Sequence, residues 1–173
     1  EKNSKVQLGL IGCGSRGNWI SNLFQQDGGY RLHAGADYFQ DRVDEFGNKY
    51  GVPPERRFTG LHGYRRLLET DVDAVAIISP PYFHPRQTLD AIEAGVHAYV
   101  AKPIAVDTPG CNTIREAARK AEGQQCLLVD FQTRANKYYI EALKRVHNGA
   151  LGEIAFGEAT YHAGDPFGRM YKW

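Results

Sequence analysis

Short apolar runs alternate with helix-patterned segments along the first 130 residues, and this alternation constrains the fold more than any other feature of the chain. "VQLGLIG" (Val6 to Gly12), "YRLHAGAD" (Tyr30 to Asp37), "RRFTG", "DAVAIIS" (Asp73 to Ser79), "HAYV" and "CLLVDF" read as strands. Helical segments are expected over 16–24, 40–50, "GYRRLLE", 85–94 and 109–122. Runs that are apolar throughout suit strands buried on both faces, and helical crossovers are what join parallel neighbours. The pattern predicts an α/β fold with a doubly wound parallel sheet. A helix over 137–148 follows, then a turn bounded by Gly149 and Gly152. "EIAFGEATYH" alternates and is rich in aromatics, so it reads as a strand of a new sheet.

The first crossover carries Gly12-x-Gly14-x-x-Gly17, directly after a strand and at the opening of a helix. In a dinucleotide fingerprint the first glycine makes the tight turn, the second admits a diphosphate and the third lets helix and strand pack closely. The amides of the next helical turn, at Ser15, Arg16 and Gly17, then face the phosphate with the favourable end of the helix dipole. The string alone also fits a merely glycine-rich loop. Asp37 adds to it, because it ends the second strand 20 residues after Gly17. An acid there accepts hydrogen bonds from the adenosine ribose and repels a 2′-phosphate, which favours NAD over NADP. Asp37 is also placed to serve as a turn or helix-cap aspartate. Together these features predict a Rossmann-type nucleotide site.

Composition narrows the classes. The formal net charge is +1, with 42% hydrophobic and 24% charged residues, so no basic footprint for nucleic acid or anionic membrane is present. No apolar stretch approaches the roughly 18 residues of a membrane span. Cys13, Cys111 and Cys126 show no metal-type spacing, and no metal site is expected. Cys13 and Cys126 read as small buried side chains. A reducing, cytoplasmic compartment fits them, while a chain starting at Glu1 is compatible with a removed leader and a periplasmic or secreted address.

Three blocks take the sequence beyond the generic fingerprint: "DAVAIISPPYFHPRQTLDAIEAGVHAYVAKP", "FQTR" after the sixth strand, and "NGALGEI". With "VQLGLIGCGSRG" they resemble the Gfo/Idh/MocA oxidoreductases, over essentially the whole chain. The resemblance implies that Lys102 is the lysine of the family's Glu-Lys-Pro sequence, reaching both nicotinamide and the substrate hydroxyl that becomes a carbonyl. A fixed ammonium suits that task, since it stabilises a developing alkoxide. Burial there would also lower its pKa. Pro103 biases the preceding backbone toward an extended form. On spacing alone, Lys102 fits a surface lysine as well. The family's glutamate is replaced by Ala101, which alters the field expected around the lysine.

The same resemblance places Ser79, Pro80 and Pro81 along the coenzyme groove. His84 either contacts the nicotinamide ribose or caps the next helix. Gln132 and Arg134 face cofactor or substrate, or Arg134 pairs with a second domain. His162 is a candidate proton carrier or a sheet-surface residue. The implied organisation is a Rossmann domain over 1–130 and the start of a truncated α+β domain over 131–173. Family members are considerably longer, and their second domain supplies most of the substrate pocket, a proton-transfer partner and the oligomer interface. The 173 residues are therefore expected to hold NAD without turning over substrate alone, in a protein that is a homo-oligomer through the missing domain. Three functions follow: hydride transfer between a sugar- or polyol-type alcohol and NAD, redox-neutral NAD-assisted glycoside cleavage, and non-catalytic NAD binding.

Overall fold

Six parallel strands form a single sheet among the described residues, 5–162, of the computed structural model. In chain order they are β1 (Val6–Ile11), β2 (Tyr30–Asp37), β3 (Arg57–Thr59), β4 (Ala74–Ile77), β5 (His97–Ala101) and β6 (Leu127–Asp130). Across the sheet the order is β3-β2-β1-β4-β5-β6. Helices α1 (Ser15–Asp27), α2 (Gln40–Tyr50), α3 (Gly63–Leu68), α4 (His84–Glu93) and α5 (Thr108–Ala121) form the crossovers. The chain winds outward from β1 in both directions, so the order reverses between β1 and β4. In such sheets the crevice beyond the strand ends at that reversal receives ligands.

Strand periodicity divides the apolar side chains between two layers. Leu8 and Leu10 of β1 join Leu32, Val43 and Phe46 in a core with α2, against which Phe24 of α1 packs. Ile11 faces the other way, with Val75, Ile77 and Val100 beneath Leu67, Leu89 and Ala117 of α3, α4 and α5. The helices are specified locally. Asp107 accepts a hydrogen bond from Gly110 N (2.7 Å) and Pro109 stands in the first turn, which fixes the start of α5; its buried stripe of Ile114, Ala117 and Ala121 follows from the second turn onward.

The chain divides at Phe131/Gln132 into two compact units. The second contains α6 (Lys137–His147), capped by the Asn136 side chain, which accepts from Tyr138 N and Tyr139 N. The strand expected at "EIAFGEATYH" is corrected: residues 153–162 lie in no helix or strand. Alternation specifies a face but supplies no ladder partner, and a strand requires one. Cys126 is also corrected, because it is exposed rather than buried. The apolar run it opens becomes β6, an edge strand whose Leu128 is 60% exposed.

His33 on β2 is buried, with Nδ1 2.8 Å from Arg56 Nη1. Burial pushes its pKa down, and the charges of Arg56 and Arg31 push the same way. The unfolded chain therefore takes a proton, below the ordinary value near 6.5, that the folded chain refuses. Stability is insensitive to this group above that value and falls as pH drops through it. Urea midpoints measured between about pH 5 and 8 will show this slope, and His33→Gln will flatten it.

Candidate functional site

The crevice at the β1/β4 reversal is floored by the turn after β1. Gly12 has φ +97°, and a Cβ there would stand 2.7 Å from both Ile78 C and Ser79 N. Only glycine takes that conformation at no steric cost, and here the space is closed as well. A Cβ on Gly17 would collide with the Gly12 carbonyl oxygen, so α1 lies directly against the turn it opens from. Asn18 latches this arrangement by donating from Nδ2 to Cys13 O (2.8 Å) and Gly14 O (3.2 Å). The first-turn amides of α1 have no intrahelical partner, which leaves them for an anion. Exposed Ser15 stands in that turn.

Asp37 joins the end of β2 to this turn. Its Oδ2 accepts from Cys13 N (2.7 Å) and its Oδ1 from Phe39 N (3.0 Å). It therefore does act as a turn aspartate, and it fastens the glycine turn too. Each carboxylate oxygen keeps acceptor capacity for a ribose hydroxyl. Asp37, Gly12, Ser79 and Pro80 line one cavity of about 270 Å³, together with Arg42 and Gln87. Ser79 Oγ donates to Gln87 Oε1 (2.5 Å). A concave, mostly apolar wall with a few converging polar groups is what a small-molecule site requires.

Arg16 does not point an unpaired charge at the turn. Its guanidinium is ion-paired with Asp130 at the end of β6, a carboxylate only 7% exposed. Tyr99 completes this network: burial first, then the Asp130 charge and hydrogen bond, push its phenol up to about 12. Ala101 is the β5 residue opposite Asp130. The acid at this end of the sheet thus comes from the neighbouring strand.

His84 neither caps α4, whose N-cap residue is Phe83, nor presents an unengaged nitrogen. The ring is buried at 1% exposure, with Nδ1 2.8 Å from Pro103 O and Nε2 2.7 Å from Ser79 O. His84 clasps the loop after β4 to the loop bearing Lys102. Lys102 follows β5 directly, joined to Pro103 by a cis peptide bond, and is exposed among the described residues. The burial invoked for its titration is not supplied by them. Gln132 and Arg134 lie in a 3-10 turn of the second unit, and His162 lies there outside any helix or strand. No cluster of metal-ligating side chains occurs among the described residues, and no helix there is long and apolar enough to cross a membrane.

The sequence reading missed Arg42, Gln87, Phe39 and Tyr64, all on the cavity wall. The helical faces of Arg42, Tyr64 and Gln87 were readable, but which face meets the crevice depends on how α2, α3 and α4 dock, and Phe39 is the extended N-cap residue of α2. Cys13, inside the turn, is 2% exposed; burial, then the Asp37 charge, hold its thiol far above the ordinary range, against a smaller opposing effect from Ala36 O. It is no nucleophile.

The model of the family described as "Oxidoreductase family, NAD-binding Rossmann fold" (Gfo/Idh/MocA) matches residues 6–131. Among curated proteins, the alpha-N-acetylgalactosaminidase of Shewanella oneidensis is 32% identical over 165 residues, covering 92% of this chain and 36% of its own. A glycosyl hydrolase family 109 protein of Shewanella woodyi is 30% identical, with 92% and 35% covered. The chain thus spans only about a third of the length of these relatives. Among solved structures, myo-inositol 2-dehydrogenase from Lactobacillus plantarum superposes with a TM-score of 0.71 at 27% identity, over 87% of this chain and 43% of that one. The WlbA dehydrogenase from Bordetella pertussis, in complex with NADH and UDP-GlcNAcA, gives 0.72 at 25% identity, over 86% and 41%. A 3-ketoreductase from Actinomadura kijaniata, with NADP and TDP-benzene, gives 0.70 at 25%, over 86% and 44%.

Two measurements check the site. A thiol reagent will modify Cys111 and Cys126 in the native protein and Cys13 only after denaturant is added. His84→Phe removes the ring nitrogens that engage Pro103 O and Ser79 O, so the urea midpoint will fall by the equivalent of about 1–3 kcal/mol for each buried group left unsatisfied.

Proposed function

The chain belongs to the Gfo/Idh/MocA oxidoreductase family, and from that premise we propose that it is the coenzyme-holding part of an NAD-dependent enzyme acting on a sugar- or polyol-type secondary alcohol. The observation that carries this reading is the joint between Asp37 and the glycine turn: Oδ2 on Cys13 N at 2.7 Å, at the mouth of the cavity. It brings a ribose acceptor and a phosphate cradle to one crevice. The residues fit the group. The turn admits no Cβ at Gly12 or Gly17, while at Gly14 only Arg42 comes within 4 Å of where one would stand. NAD is the favoured form, because the Asp37 carboxylate opposes a 2′-phosphate.

When bound, the nicotinamide supplies the hydride-accepting ring. The amides at Ser15, Arg16 and Gly17 hold the diphosphate, and Asp37 accepts from the ribose. Ser79 and Pro80, fixed through His84 and Gln87, shape the wall. Lys102 orients the substrate oxygen by donating a hydrogen bond and stabilises negative charge developing on it. Lys102 follows the carboxyl end of β5, and ligands of such sheets bind outside the carboxyl ends of the strands. The remaining substrate contacts are assigned to the longer protein's second domain, as is its self-association.

A second reading draws on the curated relatives, which are glycosyl hydrolase family 109 proteins and an alpha-N-acetylgalactosaminidase. The same residues would then serve a redox-neutral cleavage, with Lys102 assisting a transient oxidation of the sugar. Release of sugar from a glycoside without net NADH favours this version; accumulating NADH favours the first.

Calorimetry will show saturable NAD binding that Asp37→Ala weakens at least tenfold, with reduced discrimination against NADP. In the full-length protein, Lys102→Ala will lower kcat by about 10²-fold or more and leave NAD affinity nearly unchanged. Unchanged affinity for both coenzymes in Asp37→Ala would remove the ribose assignment.

A further inference from the structure

The phosphate turn contains one arginine, and that arginine is committed elsewhere. Arg16 is ion-paired with Asp130, and its guanidinium lies 5.3 Å from the Trp19 ring centroid. A second cation approaches the same turn from α2. Arg42 lines the cavity, and its Nη1 stands 3.4 Å from the position a Cβ on Gly14 would take. Its guanidinium rests 5.1 Å from the Phe39 ring centroid, a cation–π contact that braces it without neutralising it. Among the described residues no hydrogen bond or ion pair engages this side chain. Asp37, the acid on the same wall, has both oxygens on backbone amides instead.

Resting on the coenzyme reading above, we propose that Arg42 is the cationic clamp of this site, donating to the phosphate on the adenosine side of the dinucleotide. Position selects the group it holds. Gly14 is the residue across which backbone and diphosphate approach, and Arg42 closes over it, whereas Asp37 marks the ribose end. Its planar fork suits two oxygens of one phosphate, and the amides of α1 approach from the other side. The clamp also explains why Arg16 can be given over to a structural pair: the charge that α1 does not present is presented by α2.

The experiment is calorimetry and competition binding on the protein and its Arg42→Gln and Arg42→Lys variants, with NAD, NADP, ADP-ribose and adenosine. Arg42 is exposed, so unchanged urea midpoints will certify the variants as folded. Arg42→Gln is expected to weaken NAD, NADP and ADP-ribose by a common factor of about ten or more, to leave adenosine unchanged, and to flatten the salt dependence of NAD binding. Arg42→Lys is expected to recover part of the loss. Undiminished NAD binding in Arg42→Gln overturns the proposal. A loss confined to NADP overturns it in favour of a 2′-phosphate contact, and an equal loss for adenosine in favour of base stacking. Failure of the unsubstituted protein to bind any coenzyme would remove the coenzyme reading itself, which is a different result from a variant that binds as well as its parent.

Discussion

The approach of Gly17 to the Gly12 carbonyl sets the geometry on which the site depends. It holds the start of α1 at backbone distance from the end of β1, closer than any side chain would permit. Asn18 can then reach Cys13 O and Gly14 O, and Cys13 N is turned toward Asp37. Tyr50 OH closes the arrangement from α2 by donating to Asn18 O at 2.7 Å. Each of these bonds is ordinary in strength. Together they leave the turn little freedom, so a ligand meets a preformed cradle rather than a loop it must order.

The features that local chemistry specifies could be read directly. All six strands fall within a residue or two of the expected runs; β1 and β4 are the plainest, because burial makes them short apolar segments bounded by turn residues, whereas β3 (RFT) and the edge strand β6 are only partly buried. The glycine turn and Asp37 were readable for the same reason: their spacing follows from one strand–turn–helix unit. The bonds that make a site of them were not. Asp37 to Cys13 spans 24 residues, His84 to Pro103 spans 19, and Arg16 to Asp130 spans 114. Such pairings exist only once the sheet has assembled, and no local pattern encodes them. The reading failed at "EIAFGEATYH" because alternation says which side chains share a face and is silent on whether another strand lies alongside.

His84 shows how a motif residue can serve a site without facing its ligand. Both its nitrogens are turned inward to backbone carbonyls, one on the loop after β4 and one on the loop after β5. The polypeptide on either side of the crevice is thereby fixed in one relation, and Lys102 is mounted on the strap so held. The buried ring acts on the position of the lysine loop rather than on any reacting atom.

The salt link from Arg16 to Asp130 joins the opening of the first crossover to the final strand of the sheet. A ribosome delivers these partners far apart in time. Until β6 has emerged, Arg16 lacks its counter-ion and the phenol of Tyr99 lacks its neighbour. The opening of α1, although among the first segments made, gains its ion pair only when the last strand is laid down. Nascent chains shorter than about 130 residues would therefore carry the whole fingerprint while Arg16 stands without its carboxylate partner.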